Sequence, residues 1–131
     1  MKPPDPMRRK AFLNGLAAEA AAESHLAGLG FEPLNRRYKT RYGEIDLVLS
    51  RREPGQPDMV IFVEVKARAS YVEGISSITP RAQRRIADSA LQWIAENADR
   101  MSADTDYRFD VAIVTPDGQI TILEAAFDAA F

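Results

Sequence analysis

The chain has 131 residues, of which 46% are hydrophobic and 27% charged, and its formal net charge at pH 7 is −2. This length and composition are typical of a single soluble globular domain with one substantial core. Cysteine is absent, which excludes disulfides, zinc–thiolate sites and a thiol nucleophile and suits a cytoplasmic protein. The sequence contains no apolar run long enough for a signal peptide or a transmembrane helix, so we expect no membrane partner.

Positive charge is concentrated in the first two thirds of the chain. Residues 1–85 contain 15 basic and 10 acidic side chains, whereas residues 86–131 contain 2 basic and 9 acidic ones. An anionic partner would therefore meet the earlier part of the chain, which the net charge conceals.

The N-terminal part of the chain predicts a tail followed by a helix. Residues 1–6 include three prolines and are expected to be disordered, with one domain over residues 7–131. An alanine-rich helix is predicted from about Met7 to Leu29 and is ended by Gly30. Its broad apolar face consists of Phe12, Leu16, Ala22, Leu26 and Leu29. Glu19 falls within this face, where it either approaches a sheet or reaches solvent from the edge of the face.

Two apolar strands, Gly43–Leu49 and Val60–Arg68, are each interrupted by acidic side chains. If the hairpin between them folds about its glycine, Asp46 lies opposite Glu64, with Cβ atoms about 5 Å apart. Like charges at this distance repel, and a divalent cation bound between the two carboxylates would remove the repulsion. Carboxylate oxygens suit Mg²⁺ or Mn²⁺, so Asp46 and Glu64 are the candidate metal ligands.

Lys66 lies two residues beyond Glu64, so both side chains point to the same face of the strand. A bound metal ion would activate a water molecule at such a site, and Lys66 would orient that water or stabilise the charge that develops on a phosphate. The alternative is a purely structural ion pair between Glu64 and Lys66. The pair lies in a strand that is apolar on both faces, where charge is costly, and this favours a functional site.

Basic side chains flank these strands. A first strand is predicted over Phe31–Tyr38, followed by a turn over residues 39–42, and arginines and tyrosines are interleaved around that turn. A second helix is predicted from Thr79, as the N-cap, to about Asn97, with a basic first turn and a half pointing away from its buried stripe. The candidate nucleic-acid contacts are Arg36, Arg37, Arg41, Arg81, Gln83, Arg84 and Arg85. A solvated charged hairpin explains the first cluster equally well.

The remaining segments complete an α/β pattern. Residues 69–78 predict a loop, and strands are predicted over Tyr107–Ile113 and Gln119–Leu123. The apolar segment Glu124–Phe131 is expected to pack onto the body of the protein. His25, the only histidine, is predicted to lie on the surface, which disfavours histidine-based chemistry. The predicted order is α-β-β-β-α-β-β around a mixed sheet.

Four motifs in this order resemble the YraN-like family of bacterial endonuclease-like proteins. They are Gly15–Glu19, Gly43–Leu47, Phe62–Arg68 and Arg108–Val111. Asp46 followed by Glu64-Val65-Lys66 is similar to the signature of the PD-(D/E)xK nuclease superfamily, and the family is similar to Holliday junction resolvases. The resemblance implies a restriction-endonuclease-like mixed sheet flanked by helices. One departure is Ala82, which stands where family members often carry a lysine.

The resemblance also adds Glu19 to the site, so that the implied catalytic residues are Asp46, Glu64, Lys66 and Glu19. It implies a Mg²⁺-dependent nuclease-like protein that binds DNA and cleaves branched or structured DNA in repair or recombination. A two-fold symmetric DNA junction would favour a homodimer. The alternative is a catalytically inactive nuclease fold that binds nucleic acid or another protein.

Overall fold

A computed structural model describes residues 5–128 of the chain, including the side chains of residues 5–7 and 14–128. In chain order the elements are the helix α1 (Pro6–Ala27), the strands β1 (Glu32–Thr40), β2 (Gly43–Arg51) and β3 (Met59–Ala67), the helices α2 (Tyr71–Ser76) and α3 (Pro80–Asn97), and the strands β4 (Asp106–Val114) and β5 (Ile120–Leu123). The predicted α/β order is confirmed, with α2 as an addition to it.

The five strands form one mixed sheet in the order β1-β2-β3-β4-β5. All neighbours are antiparallel except β3 and β4, which are parallel and are joined by a crossover through α2 and α3. The sheet is therefore mixed, as predicted, and β3 is its central strand.

The two long helices cover opposite faces of this sheet. From α1, Ala22 and Leu26 join a core cluster with Ile61 and Val63 of β3. On the other face, the α3 residues Ile86, Ala90 and Trp93 form a second cluster with Val60 and Phe62 of β3. Alternate residues of β3 thus face different helices, which explains why its apolar run is continuous rather than alternating.

Helix α1 begins and ends slightly earlier than predicted. Asp5 is its N-cap and accepts a hydrogen bond from the Met7 backbone N–H at 2.8 Å. The predicted tail otherwise falls on residues 1–4, which lie outside the described part of the chain. At the other end Gly28 is the C-cap, and Gly30 lies in the following turn with a φ of 93°. Leu29 lies beyond the end of α1 and is 51% exposed, so its prediction as part of the helix's apolar face was wrong.

The segment predicted as a loop over residues 69–78 contains helix α2. The Ser70 hydroxyl accepts a hydrogen bond from the Glu73 N–H and caps this helix. Gly74 brings α2 close to β4, since a Cβ added there would lie 2.6 Å from Cγ2 of the buried Ile113. A six-residue helix with an internal glycine has no helical periodicity in sequence, and it forms because it docks on the sheet.

The predictions for the rest of the chain are largely confirmed. Thr79 caps α3 by accepting a hydrogen bond from the Ala82 N–H at 3.1 Å. Phe127 packs onto the sheet by stacking on Phe109, with ring centroids 4.9 Å apart, whereas residues 129–131 lie outside the described part. His25 is exposed.

Within the described residues, no helix is long and apolar enough to cross a membrane.

Candidate functional site

The side chains of β2 switch from one face of the sheet to the other at Asp46. Side chains two positions apart in a strand normally share a face, yet Ile45 packs in the α3-side cluster and Leu47 in the α1-side cluster. The regular β2–β3 ladder ends at the pair Leu47–Val63. On β1, Arg37 lies between the partners of Leu47 and Ile45 and has a φ of 51°. The sheet is therefore irregular at Asp46, and this irregularity directs the carboxylate.

The Asp46 carboxylate reaches the backbone of β3. Its Oδ2 accepts a hydrogen bond from the Val65 N–H at 2.8 Å, between the positions of Glu64 and Lys66. Burial, together with the nearby charge of Glu64, raises the pKa of Asp46 to about 7. Glu19 and Glu44 raise this pKa further, while the backbone hydrogen bond lowers it. Asp46 thus lies within electrostatic reach of every other acid of the candidate site.

Glu64 is buried, with 8% of its surface exposed, and is neutralised by two cations. Its Oε1 lies 3.3 Å from the Lys66 Nζ and 3.4 Å from the Arg85 Nη2. Its Oε2 is buried and accepts no hydrogen bond from any group in the described part of the chain. A buried carboxylate oxygen with no donor is costly, so it is an available acceptor for a ligand.

Arg85 reaches the candidate site from α3, where its guanidinium contacts the Glu64 carboxylate. Its side-chain stem crosses the start of β2 at Gly43, where an added Cβ would lie 2.5 Å from the Arg85 Cδ. Gly43 also has a φ of 144°, which other residues rarely adopt. The glycine therefore allows the first turns of α3 to approach β2 and to bring the Arg85 guanidinium to Glu64.

Helix α1 carries Glu19 to the same end of the sheet. The Glu19 side chain is 16% exposed, and its Oε2 lies 3.3 Å from the Arg37 Nε. Burial raises the pKa of Glu19, the Arg37 charge lowers it, and the nearby Glu44 and Glu64 carboxylates raise it again. Arg37 also lies 3.6 Å from Glu44. Glu19 thus faces the acidic cluster and is held there by an arginine.

The acidic side chains do not converge into a preformed three-ligand cage. Across residues 5–128, no group of three or more histidine, cysteine, aspartate or glutamate side chains is arranged to hold a metal ion. The two predicted ligands lie near each other, since the charge of Glu64 raises the pKa of the buried Asp46. Mg²⁺ is commonly held by one or two carboxylates, with water and substrate phosphate completing its coordination, so a pair of carboxylates suits this ion.

The predicted DNA-binding arginines of β1 and the following turn are partly engaged. Arg36 forms a bidentate pair with Glu23, at 2.6 and 3.0 Å, although 63% of its side chain is exposed. Arg41 donates a hydrogen bond to the Tyr42 hydroxyl at 2.7 Å, and Tyr42 is 40% exposed. Both arginines therefore already have intramolecular partners that would compete with a DNA phosphate.

The predicted contacts on α3 differ in accessibility. Arg81 and Arg84 are exposed and form no ion pair with any described residue. Gln83 lines a groove of about 640 Å³ between α2, α3 and β5, with Ile122 and Leu123 on the opposite wall. Asp46 and Glu64 do not line this groove.

A second, larger groove adjoins the site at the C-terminal ends of the parallel strands. It has a volume of about 750 Å³ and lies between α1 and the ends of β3 and β4. Gly15 and Ala18 of α1 form one wall, and Val65, Arg68 and Thr115 form the other. Such crevices at the carboxyl ends of strands are frequent ligand positions in α/β proteins.

Sequence reasoning missed two features of the site. The left-handed backbone of Arg37 has no signal in sequence, because arginine is not a residue that marks such a conformation. The position of Arg85 depends on how α3 meets β2, which is a tertiary contact. The position of Gly43 at the start of a strand is the one sequence signal that could have indicated this close approach.

The family model described as "Uncharacterised protein family UPF0102" matches residues 18–114. The chain belongs to this family. A UPF0102 protein from Rhodopseudomonas palustris strain BisA53 is 41% identical over 98% of this chain and 93% of its own length. One from strain BisB5 is 43% identical over 98% and 92%, and one from Bradyrhizobium sp. strain BTAi1 is 42% identical over 98% and 90%. The YraN-like resemblance is thus confirmed, and the matched residues contain Glu19, Asp46, Glu64 and Lys66.

Proposed function

We propose that this UPF0102 protein is a Mg²⁺-dependent nuclease that binds branched or otherwise structured DNA and hydrolyses a phosphodiester bond in it. One observation carries the proposal. The Asp46 carboxylate of β2 reaches the backbone of β3 between Glu64 and Lys66, and Glu19 of α1 lies within electrostatic reach of Asp46 and Glu64. Buried charges are costly unless they are paired or bind a cation, and Asp46 has no cationic partner among the described residues.

The residues present fit a bound Mg²⁺ or Mn²⁺. Glu64 has a buried oxygen without a donor, and Asp46 lacks a cationic partner within the described residues, so both retain free acceptor capacity. Burial and, after it, the nearby charge of Glu64 raise the pKa of Asp46, and a divalent cation bound beside both carboxylates would offset the repulsion between them. When bound, the metal ion would supply a water of lowered pKa and neutralise charge on the phosphate.

The chain's own residues would perform the remaining steps. Lys66, whose side chain is 14% exposed, is positioned to donate to a phosphate oxygen and to stabilise its developing negative charge. Glu19, held by Arg37, would accept a hydrogen bond from the attacking water and orient it. The exposed Arg81 and Arg84 would contact DNA phosphates beside the site.

A second candidate function keeps the DNA-binding surface without turnover. The ion pairs of Glu64 with Lys66 and Arg85, and the lack of a three-acid cluster among the described residues, favour this candidate. In that case the protein would bind structured DNA as an accessory to repair or recombination.

The decisive experiment incubates the protein with labelled four-way junction, flap, duplex and single-stranded DNA in Mg²⁺ or Mn²⁺, and resolves the products on denaturing gels. We expect cleavage of at least one structured DNA by the natural protein and a loss of roughly a hundredfold or more in Asp46→Asn and Glu64→Gln. Asp99→Asn is the matched control, because Asp99 is an exposed acid beyond the far end of α3. It should cleave at the natural rate.

Binding to the same DNAs in Ca²⁺ separates the two candidates. Binding without cleavage of any DNA would replace the nuclease by the second candidate. If Asp46→Asn cleaved as fast as Asp99→Asn, the acid pair would not be the site. A natural protein that neither bound nor cleaved these DNAs would exclude both functions.

A further inference from the structure

The Arg85 guanidinium occupies a position between the candidate metal site and the exposed basic end of α3. We propose that Arg85 contacts DNA only when a divalent cation is bound. In the metal-free protein the Glu64 carboxylate holds the Arg85 guanidinium. When Glu64 binds a divalent cation, the guanidinium is released and can bind a DNA phosphate. Metal and DNA would then bind with positive coupling through one residue. This inference rests on the proposed metal site, and it adds a role that the site itself does not require.

The contact between Arg85 and Glu64 is weak for an ion pair. The Arg85 Nη2 lies 3.4 Å from the Glu64 Oε1, whereas charge-assisted N–H to carboxylate bonds are usually about 2.7–2.9 Å long. The contact has a single donor, although a guanidinium can donate two parallel hydrogen bonds to a carboxylate. The Arg85 Nε is buried and donates to no group in the described part of the chain. Arg85 is therefore held near Glu64 by charge more than by hydrogen bonding.

The Glu64 carboxylate cannot bind Lys66, Arg85 and a divalent cation equally well at the same time. Its Oε1 is shared between Lys66 and Arg85, and only Oε2 is without a partner among the described residues. A divalent cation on the same carboxylate would lie within a few ångströms of the guanidinium and repel it. Lys66 is the more buried of the two cations, with 14% of its side chain exposed against 39% for Arg85. Arg85 is thus the partner that can leave toward solvent.

The structure also limits where Arg85 can go. Its stem is packed over Gly43, so release from Glu64 would mainly move the guanidinium end of the side chain. Arg84, the preceding residue of α3, is exposed and without an ion pair among the described residues. A freed Arg85 would therefore add to a phosphate-binding surface that Arg84 already provides.

The test compares Arg85→Gln with Arg84→Gln, which removes the same charge from the next position of the same helix. Binding of Mn²⁺ alone is measured by calorimetry, and binding of a labelled four-way DNA junction by anisotropy, in EDTA and in Ca²⁺. Glutamine keeps the helix propensity and most of the stem, and thermal melting verifies that both variants fold. In Arg85→Gln we expect Mn²⁺ to bind about fivefold more tightly than in the natural protein, since a competing cation is gone.

The DNA measurements separate a released contact from a permanent one. Arg85→Gln should leave the DNA affinity in EDTA almost unchanged and abolish most of its increase in Ca²⁺. Arg84→Gln should weaken binding by a similar factor in both conditions and keep the increase. The inference is overturned if Arg85→Gln behaves as Arg84→Gln does, or if its Mn²⁺ affinity is unchanged. A natural protein that binds no Mn²⁺ would overturn the proposed metal site as well, whereas normal Mn²⁺ binding with these failures would leave that site intact.

Discussion

At the scale of single residues, the acids of the candidate site are neutralised to different degrees. Glu19 is paired with Arg37, and Glu64 with Lys66 and Arg85, whereas Asp46 accepts only a backbone N–H among its described contacts. The acid without a cationic partner is also the one whose pKa is raised to about 7. The negative charge of Asp46 is therefore the least compensated charge among these acids. A cation would be attracted most strongly to a position beside it.

The raised pKa of Asp46 predicts how stability changes with pH. The folded protein holds this proton more tightly than the unfolded chain, so the contribution of Asp46 to stability is full below about pH 4. It is lost as the pH rises through the folded pKa of about 7. In EDTA, we expect Asp46→Asn to gain about 2 kcal/mol in the free energy of unfolding relative to the natural protein between pH 5 and pH 8.5.

Urea denaturation of both proteins at these two pH values measures this difference. Asp99→Asn, in which an exposed acid is removed, should show the same pH dependence as the natural protein. An Asp46→Asn protein whose stability ran parallel to that of the natural protein would mean that Asp46 is ionised without penalty.

At the scale of elements, close packing of backbone against side chains fixes how the helices meet the sheet. Gly74 allows α2 to lie against Ile113 of β4, and Gly43 allows Arg85 of α3 to cross the start of β2. Gly15 of α1 differs from both, because an added Cβ would meet no atom within 4 Å. The same residue type therefore has opposite effects on stability in different helices.

Substituting alanine at two of these glycines distinguishes the two situations. Gly74→Ala should lower the free energy of unfolding by about 1–3 kcal/mol, since Ile113 is 1% exposed and has no room to move. Gly15→Ala is the matched control, and it should raise the free energy of unfolding by about 0.5–1 kcal/mol because alanine favours a helix interior. Denaturant titration of both variants gives the values. Equal effects of the two substitutions would show that α2 does not pack as closely on β4 as described.

The same contrast explains which elements the sequence predicted. Strands β2 and β3 were predicted from apolar runs bounded by turn residues, and α3 from its Thr79 cap and its periodic apolar stripe. These signals are local. Helix α2 has only its Ser70 cap as a local signal and lacks a periodic apolar stripe, and a helix of six residues needs its docking on β4 to be stable.

For the site, the hairpin between β2 and β3 was enough to predict that Asp46 lies near Glu64. The face change at Asp46, the φ of Arg37 and the position of Arg85 depend on contacts between elements distant in sequence. To predict them, one would need to know how α3 lies relative to β2. The spacing of apolar residues in the sequence does not give this arrangement.

At the scale of the whole molecule, the positive charge of residues 1–85 is less available than its count indicates. Arg36 is paired with Glu23, Arg37 with Glu19 and Glu44, and Arg85 with Glu64. The exposed cations at the start of α3, Arg81 and Arg84, then carry a larger share of any attraction for DNA.

The salt dependence of DNA binding tests this distribution. If Arg84 neutralises one phosphate, Arg84→Gln should reduce the slope of log affinity against log salt concentration by about one unit. Arg100→Gln is the control, because Arg100 is an exposed arginine beyond the opposite end of α3. It should leave the slope unchanged. Titration of a labelled DNA junction at increasing KCl concentrations gives the slopes, and equal slopes for the two variants would contradict a phosphate contact by Arg84.

The pairing of β3 with β4 means that the residues of the candidate site and the strand that completes the sheet come from different parts of the chain. Every candidate residue of the site precedes the middle of α3, whereas β4 begins at Asp106 and contributes none of them. A fragment that ended with α3 would contain the complete set of reactive groups, yet it would leave one edge of β3 open along its most apolar run. Such an edge pairs readily with other chains, so the fragment would tend to aggregate. The family match extends to Val114, the last residue of β4, and so includes this protecting strand.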